Sequence, residues 1–140
     1  EATAEKIAMG YYLDGRITAM FGTHTHVQTA DETILEKGTG YITDIGMTGP
    51  KKSVIGMDVS ASLKRFETTL PEKYKLADGN CMLNGCIFEI NDESCRVEKI
   101  TRVVKKINDE KCKNNTMKTV KKYQKYIDNY SEILYKYNCT

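Results

Sequence analysis

The chain has 140 residues, of which 40% are hydrophobic and 29% charged, and its formal net charge is +2. These values are ordinary for one globular domain with a single core, and no apolar run approaches the roughly 20 residues that cross a bilayer. The basic excess is confined to residues 105–140, which hold nine lysines against four acidic residues. The part before residue 105 is net acidic, which disfavours binding of a nucleic-acid backbone there.

The cysteines and the first residues indicate where the protein resides. The five cysteines are odd in number and have no Cys-x-x-Cys spacing. Residues 1–15 lack the basic start and the apolar block of a signal peptide. We therefore expect reduced thiols, no zinc site built from cysteines and a cytoplasmic location. The chain starts at Glu1, without methionine and within a predicted helix, so we expect it to be a piece of a longer protein.

The first elements alternate between helix and strand. Apolar residues at three- and four-residue spacings predict a helix over residues 2–13, ended by Gly15. Short apolar runs predict strands over residues 16–21 and 40–45, and the second strand runs into a glycine-rich turn at residues 46–50. The polar stretch between the two strands is predicted to be irregular.

The next segment contains a helix and a set of strands. Asp58 is a suitable N-cap for a helix over residues 59–69, with Val59, Leu63 and Phe66 on its inner side. Three strand-like runs follow at hairpin spacing: residues 73–77, 81–90 and 95–104. The order α-β-β-α-β-β-β indicates an α/β fold with a mixed sheet edged by an antiparallel meander.

Some single residues can be assigned to core or solvent from their type and position. We expect Glu5 and Asp14 to lie in solvent, because they are charged and lie on or beside the first helix. Long apolar side chains are more typical of core filling than of substrate contact. On this ground we expect the following residues in the core: Met9, Met20, Met47, Met57 and Phe66.

The C-terminal part differs in kind from residues 1–104. Residues 105–115 are rich in lysine and asparagine and are predicted to be a linker. Residues 116–137 are predicted to form an amphipathic helix, because apolar residues recur at spacings of 3-4-3-4-3. These residues are Val120, Tyr123, Ile127, Tyr130, Leu134 and Tyr137. Three interpretations stay open: the helix packs on its own domain, it forms a homo-oligomer as a coiled coil, or its tyrosines and lysines bind RNA.

The two histidines of the chain are His24 and His26, which follow a predicted strand and Gly22. If the backbone stays extended, residues i and i+2 point to one side with Cβ atoms roughly 6 to 7 Å apart. That distance is wide for one ion but suits one imidazole on each of two ions about 3.5 to 4 Å apart. The spacing is compatible with a two-metal hydrolytic centre. The alternative is a surface turn that is rich in histidine and threonine.

Several sequence blocks occur in a recognisable order. They are residues 1–10, 13–16, 22–31 (Gly-Thr-His-Thr-His-Val-Gln-Thr-Ala-Asp), 44–50 (Asp-x-Gly-Met-Thr-Gly-Pro), 56–58 (Gly-Met-Asp) and 64–66 (Lys-Arg-Phe). Together they closely resemble the C-terminal half of the YmdB-type metallophosphoesterases, a bacterial branch of the calcineurin-like phosphoesterase superfamily. The resemblance covers residues 1–104, and residues 105–140 lie outside it.

The resemblance implies a fold and a reaction. The fold would be the C-terminal part of an α/β/β/α sandwich with two iron or manganese ions at the ends of its central strands. The reaction would be hydrolysis of phosphodiesters, with 2′,3′-cyclic nucleotides as the candidate substrates. His24 would ligate one ion and His26 the other, and neutral imidazole suits such metals. A hydroxide held by the metals would then attack phosphorus in line.

Residues near the histidines are candidates for supporting roles. The free ring nitrogen of a metal ligand usually donates to an acceptor, which fixes the tautomer. Four residues of the loop could supply that acceptor: Thr23, Thr25, Gln28 and Asp31. The glycine-rich turn that contains Gly46, Met47 and Thr48 could line the mouth of the active site, or it could be a tight turn after a strand.

The other metal ligands of the family would lie upstream of Glu1. They are an Asp, a Glu, an Asn beside the general-acid histidine, and a further His. Catalytic metal sites need about three protein ligands per ion, and this chain offers two histidines for two ions. We therefore expect the chain to be inactive alone and the activity to belong to the parent protein. In the alternative, the protein is a non-catalytic regulator or scaffold that acts through its basic tail.

Overall fold

The computed structural model describes residues 2–107. Its elements in chain order are α1 (Thr3–Leu13), β1 (Ala19–Phe21), β2 (Thr33–Ile34), β3 (Gly40–Ile42), β4 (Gly49–Pro50), α2 (Val59–Thr68), β5 (Cys81–Ile90) and β6 (Val97–Ile107). They fall into two compact units. The first consists of residues 2–47 and 82–105, and the second of residues 48–81 with 106 and 107.

The first unit is built around a short mixed sheet. Strand β3 lies between β1, which is parallel to it, and β2, which is antiparallel. All three residues of β3 are buried, and Ile42 is fully inaccessible. A central strand, with neighbouring strands on both edges, is typically a continuous run of buried residues, as Gly40–Ile42 is. Helix α1 buries Lys6 and Gly10, four residues apart on one face.

Strands β5 and β6 are long and lie next to each other in a second, antiparallel sheet. The turn between them is stabilised by Asn91, whose backbone N–H donates to the Arg96 carbonyl at 2.9 Å. The Asn91 side chain also accepts from the backbone N–H groups of Glu93 and Ser94 at 3.0 and 2.9 Å. The predicted α/β class, with a mixed sheet and an antiparallel part, is therefore confirmed.

Several predicted elements differ from the structure. Residues 73–77 form no strand, and only Leu76 makes an isolated bridge, to Met57. Two-residue strands occur at Thr33–Ile34 and Gly49–Pro50, where irregular structure and a turn were predicted. Strands this short are defined by pairing with another strand, as β2 is by β3, so they leave little periodic signal in the sequence.

The apolar side of α2 was predicted to face the core, and this prediction is wrong. Val59, Leu63 and Phe66 are 36%, 53% and 77% exposed, and α2 has no buried residue. The N-cap prediction is confirmed, since the Asp58 side chain accepts from the Ala61 N–H at 3.0 Å. Periodicity identifies an apolar face, but it does not say whether the same part of the chain covers that face.

Three single-residue expectations are also corrected. Asp14 is buried and not solvated. The backbone N–H groups of Lys37 and Thr39 donate to its carboxylate at 3.0 and 3.4 Å, in place of water. Met9 is 48% exposed, so it fills no core. Cys95 is disulfide-bonded, which contradicts the expectation of five thiols.

The ends of the described chain bear on two further expectations. Strand β6 continues to Ile107, so the predicted linker cannot start at residue 105. The predicted helix over residues 116–137 lies outside the described residues, and its three interpretations stay predictions. Neither α1 nor α2 has the length and apolar character that would let it span a membrane.

Candidate metal-binding loop

Both histidines lie in the segment that follows β1, residues 22–28, which we call the histidine loop. Gly22 is the first residue of the loop, and its backbone forms hydrogen bonds with the end of β3 and with the residues that follow β3. Its N–H donates to the Ile42 carbonyl at 3.0 Å, and its carbonyl accepts from the Ile45 N–H at 3.0 Å. A Cβ atom on Gly22 would lie 1.8 Å from the Thr43 carbonyl oxygen. Gly22 is therefore required for close approach of two backbones.

The backbone at the two histidines is unusual. His24 has φ +95° and His26 has φ +65°, and both residues are exposed. Residues other than glycine rarely adopt positive φ, and each such residue costs on the order of 1–3 kcal/mol. Side chains alternate only along an extended backbone, so the expected same-side geometry of His24 and His26 does not follow here. The surrounding contacts must hold the loop in this conformation.

Asp44 is the buried residue whose carboxylate binds the middle of the histidine loop. It follows β3 and is fully inaccessible to solvent. Its Oδ2 accepts from the backbone N–H of Thr25 at 3.0 Å and from the Thr25 hydroxyl at 2.7 Å. Its Oδ1 accepts from the Gly46 N–H at 2.8 Å. One carboxylate thus binds the residue between the two histidines.

Lys6 reaches the same place from α1. Its Nζ lies 3.3 Å from Asp44 Oδ2, and the Lys6 side chain is 9% exposed. Nζ also donates to the backbone carbonyl of Thr23. We call Lys6 and Asp44 the anchoring pair. The pair binds Thr23 and Thr25, the two residues on either side of His24.

The C-terminal end of the loop is fixed by other contacts. The Gln28 amide donates to the carbonyls of Gly85 at 2.9 Å and Val103 at 3.3 Å. Next to it, the Thr29 N–H donates to the Asp44 carbonyl at 3.0 Å, and the Asp44 N–H donates to the Thr29 hydroxyl at 3.0 Å. Hydrogen bonds therefore restrain the loop at its start, middle and end.

The residues expected to orient the imidazoles all have other partners. The Thr23 carbonyl binds Lys6, the Thr25 hydroxyl binds Asp44, and Gln28 binds β5 and β6. Asp31 accepts from the hydroxyls of Thr29 and Thr43. A role for Thr23, Thr25, Gln28 or Asp31 as acceptor for a metal-bound imidazole stays a prediction.

The glycine-rich turn contains the boundary between the two units. Gly46 has φ +77°, and a Cβ there would lie 2.9 Å from Gln28 Cβ, so it packs against the end of the histidine loop. The half-buried Met47 accepts at its carbonyl from the Asn84 amide at 3.0 Å. Thr48 is exposed and belongs to the second unit. That these residues line an active-site mouth stays a prediction.

Lys6 and Asp44 were not predicted as site residues. A lysine on an amphipathic helix normally faces solvent, so its sequence position gives no sign of burial. Asp44 carries a weak signal, because it directly follows a buried strand and opens the Asp-x-Gly-Met-Thr-Gly-Pro block. The glycines of that block predict a turn, and they give no sign that the Asp44 carboxylate binds the histidine loop.

Hydrogen bonds to its carboxylate lower the pKa of Asp44. Burial by itself would raise the pKa of Asp44, but hydrogen bonds from Thr25, the Gly46 N–H and Lys6 outweigh burial and lower the pKa below its ordinary value of 3.8. A carboxylate with a lowered folded pKa contributes stability above its unfolded pKa, and that contribution is lost as pH falls through the folded pKa. The stability is therefore present at neutral pH and disappears in acid.

We expect Asp44→Asn to reduce the acid dependence of stability. At pH 7 the free energy of unfolding should fall by about 3 kcal/mol, since Lys6 is left buried without its counter-charge. The variant should then lose less stability than the wild type between pH 5 and pH 2. Urea denaturation of the full-length protein across this range measures both effects. Parallel pH curves for the two proteins would contradict the assignment.

The described residues supply only part of a metal site. Residues 2–107 contain no group of three or more His, Cys, Asp or Glu side chains that could hold a metal ion. The Asp44 carboxylate is occupied by its four hydrogen bonds. His24 and His26 remain as two exposed imidazoles, which suit iron, manganese or zinc but fall short of about three ligands per ion.

Solved structures of two bacterial proteins share this fold. One is a phosphatase from Mycoplasma pneumoniae, 38% identical, with a TM-score of 0.73 over 80% of this chain and 40% of that chain. The other is a hypothetical protein from Thermus thermophilus, 44% identical, with a TM-score of 0.71 over 76% of this chain and 41% of that chain. The fold is therefore found in a phosphatase.

The family model described as YmdB-like protein matches residues 1–103, and the chain belongs to this family. A relative from Bacillus subtilis, a 2′,3′-cyclic-nucleotide 2′-phosphodiesterase, is 52% identical over 110 residues. The match covers 79% of this chain and 41% of that relative, so the chain spans about two fifths of the length of the relatives it matches. The resemblance noted from the sequence blocks is confirmed.

Proposed function

We propose that this chain is part of a metal-dependent phosphodiesterase that hydrolyses cyclic nucleotides of the 2′,3′ type. The observation that carries the proposal is the histidine loop, which displays two exposed imidazoles in a strained conformation fixed by buried contacts. The activity for which the Bacillus subtilis relative is named supports the substrate class, and that relative is 52% identical. Strain held in place at an exposed loop is typical of functional sites.

In this proposal His24 and His26 each ligate one of two metal ions, with iron or manganese as the candidates. When bound, the metals polarise the phosphate and neutralise the charge that develops on it. The remaining ligands and the general acid would come from sequence upstream of Glu1, and the chain alone would be inactive. The chain contributes two neutral imidazoles and the scaffold that fixes their backbone.

The test is hydrolysis of a 2′,3′-cyclic nucleotide by the full-length protein carrying His26→Ala. We expect a loss of at least about 100-fold in kcat/KM, because removal of a ligand disturbs the charge stabilisation that drives the reaction. Val27→Ala is the matched control, since Val27 is 63% exposed in the same loop. Equal activity of wild type and His26→Ala would refute the proposal.

A further inference from the structure

Burying two charged side chains away from water costs free energy, so the position of a buried ion pair requires a physical explanation. Lys6 and Asp44 have side chains 9% and 0% exposed, and their charges lie 3.3 Å apart. Breaking such a pair costs stability, but apolar residues of similar volume often do as well in its place. A structural need for stability alone therefore does not explain why a charged pair occupies this position.

The contacts of the pair are directed at the histidine loop. Lys6 donates to the Thr23 carbonyl, and Asp44 accepts twice from Thr25, at 3.0 and 2.7 Å. These two residues enclose His24, and Thr25 also precedes His26. Charge-assisted hydrogen bonds of this kind are roughly twice as strong as neutral ones. An apolar pair could fill the volume but could not bind the loop backbone.

The loop needs such bonds because its conformation is costly. His24 and His26 have φ values of +95° and +65°. Without restraint, residues with a side chain at positive φ relax to negative φ, and the direction of the side chain changes with the backbone. The three bonds from the anchoring pair act on the residues that flank these two positions. They oppose that relaxation directly.

We propose that Lys6 and Asp44 are positioning residues, which hold the strained backbone of residues 23–25 so that His24 and His26 meet their metal ions. This proposal rests on the proposed function. Both side chains are buried and are bonded to residues of the histidine loop. It acts through Thr25, whose hydroxyl and N–H both donate to the Asp44 carboxylate.

Thr25 allows a test that leaves the buried charges in place. Thr25→Val removes the hydroxyl bond to Asp44 while keeping the shape of the side chain, and Thr25→Ser restores a hydroxyl. Thr25 is exposed, so neither change opens a cavity in the core. Mn²⁺ is titrated into the metal-free full-length protein by calorimetry, and the unfolding midpoint of each variant is measured in parallel.

The expected result is a pattern across variants. Thr25→Val should bind Mn²⁺ about tenfold or more weakly, as is typical when an outer hydrogen bond of a metal site is lost. Thr25→Ser should return to within about threefold of wild type, and excess Mn²⁺ should restore activity to Thr25→Val. Recovery by metal separates a positioning defect from misfolding, which added metal would leave uncorrected.

A matched control comes from another ion pair of the same unit. Glu32 and Arg102 lie 2.7 Å apart and bind no residue of the histidine loop. Glu32→Gln should therefore keep wild-type affinity for Mn²⁺. Wild-type affinity in Thr25→Val, or no recovery in Thr25→Ser, would overturn the proposal. If His26→Ala loses Mn²⁺ in that case, the proposed function stands without it; if His26→Ala also keeps Mn²⁺, the proposed function itself fails.

Discussion

Gly22→Ala is expected to lower the free energy of unfolding of the full-length protein by about 3 kcal/mol or more. The new Cβ would lie 1.8 Å from the Thr43 carbonyl oxygen and 2.9 Å from the Thr43 carbonyl carbon. Both are backbone atoms next to the buried strand β3, and they cannot move aside as a flexible side chain can. The bonds of Gly22 to Ile42 and Ile45 would have to break or stretch.

Gly85→Ala is the matched control for Gly22→Ala. A Cβ atom on Gly85 would meet no atom within 4 Å, although Gly85 also lies in the first unit. Its stability should change by less than about 0.5 kcal/mol, as is usual for substitutions without a named defect. Chemical denaturation gives both values. Similar stability of the two variants would show that the close approach at Gly22 is misassigned.

Lys6→Met is expected to have the second large effect. Methionine matches much of the length of lysine, so the packing of α1 is largely kept. The Asp44 carboxylate, however, stays fully buried and loses its counter-charge, and the Thr23 carbonyl loses its donor. Removing one partner of a buried ion pair typically costs about 3–5 kcal/mol. We expect a loss of that order in the free energy of unfolding at pH 7.

Lys99→Met is the control for Lys6→Met, because it removes an exposed ion pair. Lys99 and Glu89 are 63% and 53% exposed, and such surface pairs contribute about 0–1 kcal/mol. Thermal unfolding of the full-length protein at low and high salt compares the two variants. The effect of Lys6→Met should persist at high salt, since buried charges are poorly screened. A Lys6→Met variant as stable as Lys99→Met would contradict the anchoring pair.

The sequence predicts the larger elements of the fold well, for physical reasons. Helices α1 and α2 and strand β5 were placed within two residues, because periodic patterns and a capping aspartate mark them locally. β6 was found but placed two to three residues early. The two-residue strands β2 and β4 were missed, since a strand of two residues carries no periodic pattern of its own.

The features of the candidate site were likewise only partly predictable from the sequence. The histidines could be found from their spacing and from the surrounding blocks, but their backbone conformation could not. His24 and His26 have positive φ, and the residues beside His24 bind Lys6 and Asp44, which are 38 residues apart in the chain. A pattern within one segment carries no information on such a contact. Neither burial of a lysine nor loss of an extended backbone could therefore be predicted.

The metal content of the full-length protein tests whether His24 and His26 are metal ligands. Wild type, His24→Ala and His26→Ala would be purified with iron or manganese and analysed for bound metal by mass spectrometry. If each histidine ligates a different ion, we expect about two ions per wild-type chain and about one fewer in each variant. Two ions in all three proteins would contradict this assignment and would leave the histidine loop without a role in metal binding.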